Sequence, residues 1–178
     1  MAVETAGTAR LFFAAWPAPE VQRALHEVAQ RARRECGGRA VAQRNIHLTL
    51  VFLGNVDRAR LRQIEAIAAG IDGSGCDLAV QHIEYWRHNR ILWAGVEHCP
   101  DALRGVVQAL STGSREAGFR VDDRPYVPHV TLLRNARRGP GDAAIPSIIW
   151  PVREIALIES APRDGVRIYE VLRRWPLK

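Results

Sequence analysis

HLTLVF, residues 47–52, sets a histidine and a threonine two positions apart in an otherwise apolar run, and HVTLLR, residues 129–134, does so again. Three of the six letters are identical and two more exchange one aliphatic for another. With six His, five Thr and fifteen Leu in 178 residues, one H-x-T-L arises by chance in roughly one such chain in seventy, and two in about one in ten thousand. The motifs lie 82 residues apart (129 − 47). A period met twice points to two related halves, because a solenoid needs at least three repeats.

The elements around each motif fit that duplication. RLFFAAW (10–16) is short, aromatic and stopped by Pro17, which reads as a strand. Pro19 suits a first helical turn, Val21, Leu25, Val28 and Ala32 recur at helical spacing, and Gly37-Gly38 supplies a stop. After the motif strand at 47–53, Gly54 is expected to turn the chain, and Asp57 to cap a helix with Leu61, Ile64 and Ala68 on one side before Gly70. GSGCD (73–77) reads as a loop. DLAVQHIEYW and RILWAGVEH then form a hairpin across Arg87–Asn89. A third helix runs from Pro100 with Leu103, Val106, Val107 and Leu110 on one stripe and ends near Gly118. Strands are expected at 129–134, 152–160 and 166–174, the last two joined by the turn signal PRDG, with ARRGPGDAAIP (136–146) as an irregular surface loop. No linker separates two independent units, so residues 1–178 read as one domain.

Composition narrows the function classes. The chain is 47% hydrophobic and 25% charged, as in a soluble globular protein, and no segment reaches the ~18 uninterrupted apolar residues of a membrane span. MAVETAGTAR lacks the basic start and long apolar stretch of an export signal. Cys36, Cys76 and Cys99 are odd in number and widely spaced, so a disulfide framework is not expected and a cytoplasmic location is. The net charge of +6 is almost wholly arginine, with Lys178 the single lysine among 25 basic residues. A planar guanidinium suits phosphate, although charge alone defines no partner. His82, His88, His98 and Cys99 show no metal-ligand spacing, and G-x-S-x-G, Walker A and G-x-G-x-x-G elements are absent.

Residues i and i+2 of a strand share a face, so His47 with Thr49 and His129 with Thr131 each present an imidazole beside a hydroxyl, while Leu48, Leu50, Val130 and Leu132 face the core. Two imidazoles with ordinary pKa near ~6.5 can divide the work of removing one proton and delivering another. Hydroxyl and guanidinium groups nearby can hold an anion whose charge shifts in the transition state. A cyclic phosphodiester matches that equipment.

At these residues the chain resembles the 2H phosphoesterase superfamily: H-x-T-L twice, the second within PYVPHVTLLR (125–134), and an opening RLFFA. Within it the likeness is to bacterial and archaeal RNA 2′,3′-cyclic phosphodiesterases, also described as 2′-5′ RNA ligases. The resemblance runs from Arg10 through the NRILWAG hairpin to Trp175. It implies an α+β fold of two pseudo-symmetric lobes, each an antiparallel sheet backed by helices, with the histidines facing across a central groove. It also implies hydrolysis of RNA 2′,3′-cyclic phosphate ends to 2′-phosphomonoesters with no metal cofactor; a monomer without any cofactor, acting on RNA ends that include tRNA fragments, is the expectation. By resemblance His47 protonates the leaving 3′ oxygen and His129 activates water, with the exchanged roles left open. Thr49, Thr131 and Arg134 match phosphate-binding residues, and Phe52 matches an aromatic that stacks on the base.

Strict alternation conflicts with the last two assignments. Phe52 and Arg134 each lie five residues after a histidine and should point away from it, unless the strand ends or bulges first; otherwise Phe52 is core and Arg134 surface. Ligation of tRNA halves, hydrolysis of another cyclic phosphate and an RNA-binding module without turnover remain alternatives.

Overall fold

The structure is a computed structural model that describes residues 7–163 and 166–178. The first unit is strand β1 (Thr8–Ala15), helix α1 (Pro19–Cys36), a two-residue strand β2 (Arg39–Ala40) and strand β3 (Leu48–Asp57). Helix α2 (Leu61–Ala69) leads to the hairpin β4 (Cys76–Trp86) and β5 (Ile91–Val96), then helix α3 (Asp101–Glu116) and strand β6 (His129–Arg134). Strands β7 (Ala144–Val152), β8 (Glu154–Arg163) and β9 (Val166–Pro176) complete the chain.

Two antiparallel sheets result, ordered β3-β1-β8-β9 and β2-β6-β5-β4-β7. The motif strands β3 and β6 take matching places, each paired with the strand that precedes its long helix, β1 or β5. Helices α1 and α3 begin 82 residues apart (101 − 19), the same period as the motifs. Each helix crosses over: α1 packs on β6 and β7 of the second sheet, and α3 on β3 of the first. The buried faces read from the sequence, Val21, Leu25, Val28 and Ala32 on α1 and Leu103, Val106, Val107 and Leu110 on α3, join one contiguous core spanning both lobes. Pro19 stands in the first turn of α1. The Asp57 carboxylate accepts from Ala59 N at 2.9 Å, capping a short 3-10 turn that runs into α2.

Three expectations need correction. Gly54 does not end the second strand; it lies inside β3 with φ 74° at a bulge against β1, a conformation open to glycine. The segment 136–146 is not loop throughout, since Ala144 already begins β7, and the strand expected at 152–160 is β8 at Glu154–Arg163. Pro146 and Pro151 conceal β7 in the sequence; it is the outer strand of its sheet, where a missing N–H costs no ladder bond. The two-residue β2 carries no periodicity to detect. Of the PRDG turn, Asp164 and Gly165 lie outside the described residues, as do positions 1–6 of the N-terminal stretch.

Candidate active site

The two motif strands deliver their side chains into one groove of about 690 Å³. His47, Thr49 and Phe52 line it from the first lobe and His129, Thr131 and Arg134 from the second, so all six residues named from the sequence meet there. Period-two alternation fails in both strands at the same offset. On β3, Phe13 pairs with Val51 and Ala14 with Thr49, leaving Leu50 unpaired; on β6, Leu92 pairs with Leu133 and Trp93 with Thr131, leaving Leu132 unpaired. Each bulge therefore falls three residues after its histidine. Leu50 and Val51 are both buried, as are Leu132 and Leu133, and the extra residue returns Phe52 and Arg134 to the groove side. Phe52 is 41% exposed and is not a core residue.

The histidines are held alike. His47 Nδ1 lies 2.7 Å from the Asn45 carbonyl and His129 Nδ1 lies 2.8 Å from the Val127 carbonyl, in each case two residues back. A carbonyl only accepts, so each Nδ1 carries the proton and each Nε2 keeps its lone pair for the groove. Asn45 is itself tied down, its Nδ2 donating to the Arg167 carbonyl at 3.0 Å across the first sheet. Tyr126 OH donates to the Thr49 carbonyl at 3.1 Å, linking the approach to the second motif with the first motif strand. Burial raises the Tyr126 hydroxyl above its ordinary pKa, so it stays a donor.

Aromatic rings enclose both imidazoles. His47 stacks on Trp16 at 5.5 Å between ring centres and 5° between planes, and meets Phe12 and Tyr169 at 5.0 Å each. His129 meets Trp86 edge-on at 4.7 Å and Trp93 at 6.0 Å. Opposite His129 in the β5–β6 register stands Gly95, where a Cβ would come within 2.4 Å of Trp93 Cζ3. Burial is the main cause that lowers His47 from 6.5 to about 4; the Asn45 hydrogen bond opposes it, and the positive charge of Arg134, with that of His129 once protonated, adds to it. His129 is also lowered by burial, against its bond to Val127. Both imidazoles are thus neutral near pH 7 in the empty groove.

The charged part of the lining is cationic. Arg10, Arg39, Arg134 and Arg167 border the groove, and none of the described residues lining it is Asp or Glu. Arg10 lies over the Phe52 ring, 4.6 Å from its centre, and Arg167 Nη1 donates to the buried Ser160 Oγ at 2.9 Å. Sequence reading missed Trp16, Asn45, Trp86, Arg167 and Tyr169. Only the fold brings Asn45 and Arg167, 122 positions apart, to the same wall. Cys36, Cys76 and Cys99 are free thiols.

Duplicated lobes that each offer an imidazole to a shared arginine-lined groove define a phosphoesterase of the paired-histidine kind. Comparison with known proteins places it further: the family described as LigT like Phosphoesterase matches residues 16–93 and 95–169, each segment holding one motif, and the chain belongs to that family. It is 33% identical over 171 residues to the RNA 2′,3′-cyclic phosphodiesterase of Escherichia coli K12, covering 94% of this chain and 96% of that one. Identity to the enzyme of the same name from Thermus thermophilus is 29%, over 95% and 90% of the two chains. The crystal structure of E. coli LigT complexed with 3′-AMP superposes with a TM-score of 0.86 at 30% identity, over 96% of this chain and 98% of that one.

Proposed function

We propose that residues 1–178 form one bilobal domain that hydrolyses RNA 2′,3′-cyclic phosphate ends, including those of tRNA fragments, to 2′-phosphomonoesters, and that it works as a monomer in the cytoplasm. The observation that carries the reaction is the pair of histidines, each fixed through Nδ1 to a backbone carbonyl and each lining one groove that has four arginines and, among the described residues, no carboxylate. His129 takes a proton from water as the oxygen attacks phosphorus. His47 gives a proton to O3′ as the P–O3′ bond breaks, leaving the phosphate on O2′. Thr49, Thr131 and Arg134 hold the phosphoryl oxygens, and Phe52 stacks on the terminal base, a contact worth ~1–3 kcal/mol. An anionic phosphodiester in the groove favours the imidazolium form, so substrate itself raises the proton affinity of the acid. The activity for which the relatives are named supports this reading for a chain that spans nearly their whole length.

The test is to incubate the purified protein, with EDTA, with an RNA ending in 2′,3′-cyclic phosphate and to locate the product phosphate by phosphorus NMR. A 2′-phosphate is expected. A 3′-phosphate contradicts the direction of cleavage, and RNA bound without turnover favours a binding module.

A further inference from the structure

The groove carries more positive charge than one cyclic phosphate balances: four arginines line it, whereas a cyclic phosphodiester has a single negative charge. Arg167 is engaged by Ser160 and Arg10 lies over Phe52. Arg134 lines the groove beside Thr131 on the second motif strand and is the guanidinium proposed above to hold the reacting phosphate. Arg39 stands directly opposite Arg134 across the β2–β6 ladder. Like charges facing each other on an antiparallel pair are destabilising, and among the described residues neither guanidinium has an acidic partner.

That unfavourable pair is held in place by the backbone. Gly37 and Gly38 take φ of 69° and 81°, and a Cβ on Gly38 would lie 2.7 Å from the Arg134 carbonyl oxygen and 2.8 Å from Ala136 N. Only glycine lets β2 approach this closely. Val41 N then donates to the Leu132 carbonyl and Arg137 N to the Cys36 carbonyl, at 2.9 and 2.8 Å, fastening both ends. Among the described residues the first lobe has no counterpart, since β3 is the free edge of its sheet. The duplicated fold thus adds one cationic strand at one end of the groove.

We propose that Arg39 binds an internucleotide phosphate of the RNA strand leading to the reacting end, which makes the groove a site for a chain in preference to a lone nucleotide. This assignment rests on the RNA-end hydrolysis proposed above. Contact with a phosphate that takes no part in bond breaking stabilises ground and transition states alike, so it acts on KM and not on kcat.

Two substrates separate the possibilities: an oligoribonucleotide of about ten residues ending in 2′,3′-cyclic phosphate, and adenosine 2′,3′-cyclic phosphate with no 5′ phosphate. Arg39→Gln is expected to raise KM for the oligonucleotide about tenfold with kcat within about twofold, the size of one charge-assisted contact. The loss on the cyclic mononucleotide is expected to be smaller by at least about fivefold. The salt slope of kcat/KM for the oligonucleotide should shrink by about 0.7, as for one fewer phosphate contact on a single strand, and Arg39→Lys should restore most of the affinity. Equal losses on both substrates, or no loss on the oligonucleotide, overturn the assignment. Fluorescence anisotropy with the same oligonucleotide ending in 2′-phosphate gives the contrast without turnover. A parent protein that hydrolyses neither substrate therefore refutes the reaction, while the difference in binding between parent and Arg39→Gln still decides the subsite.

Discussion

His47 and His129 combine a fixed tautomer with a depressed proton affinity, and both properties have measurable consequences. Because both imidazoles are lowered in the empty groove, the pH profile of kcat/KM, which reports the free protein, should centre below about pH 6.5. The kcat profile should sit at higher pH, because bound phosphate favours imidazolium. A kcat/KM optimum above about pH 7.5 contradicts this. His47 also links stability to pH: between 6.5 and about 4 the unfolded chain takes up a proton that the folded one resists, so its contribution is complete above 6.5 and is lost as pH falls through that window. Relative to the parent, His47→Gln should remove on the order of 1–3 kcal/mol of this acid-side loss, read from urea unfolding at neutral and acid pH. Phe52→Leu should raise KM about five- to thirtyfold with little change in melting temperature, since its ring faces the groove; a large loss of stability with unchanged KM would return Phe52 to the core.

Among the elements, the bulges at Leu50 and Leu132 turn a strand that alternates for three residues into one that serves the groove again five residues after its histidine. The motif histidines and threonines were legible from the sequence because i, i+2 spacing holds up to the bulge. Phe52 and Arg134 were legible only through the family resemblance and not from the spacing, because an apolar run such as LTLVF reads alike with or without an unpaired residue. Deleting Leu132 removes the bulge and leaves Arg134 four residues after His129, so strict alternation keeps its guanidinium on the groove face: activity should fall less than about tenfold while the melting temperature drops with the lost buried leucine; a loss of about a hundredfold or more would contradict this account of the bulge. Strand β2 is equally sensitive. Gly38→Ala must place a Cβ 2.7 Å from the Arg134 carbonyl oxygen, with backbone strain of about 1–3 kcal/mol, and hydrogen exchange should quicken at Val41 N. No periodicity marks a two-residue strand, and the prolines of β7 hid an outer strand.

At the scale of the whole molecule, the exchange of α1 and α3 between sheets gives the lobes a shared core, so thermal unfolding should be a single cooperative transition whether followed by fluorescence or by far-UV circular dichroism. Two separated transitions would contradict one domain. The duplication was legible from the 82-residue offset (129 − 47), whereas the α+β class came through the family resemblance, with which the helix and strand patterns were only compatible. The crossing of the helices and the rings around His47 were not legible, because Trp16 and Tyr169 reach that imidazole from distant parts of the chain only once the sheet has closed. The central claim is that the two histidines act together on a cyclic phosphate. Its most direct test is the single-turnover rate on an RNA 2′,3′-cyclic phosphate end in EDTA for the parent, His47→Ala, His129→Ala and the double variant. Paired action predicts a 2′-phosphate product, a loss of at least about a thousandfold in each single variant and little further loss in the double, as for groups that work as a unit. A single variant within about tenfold of the parent contradicts it.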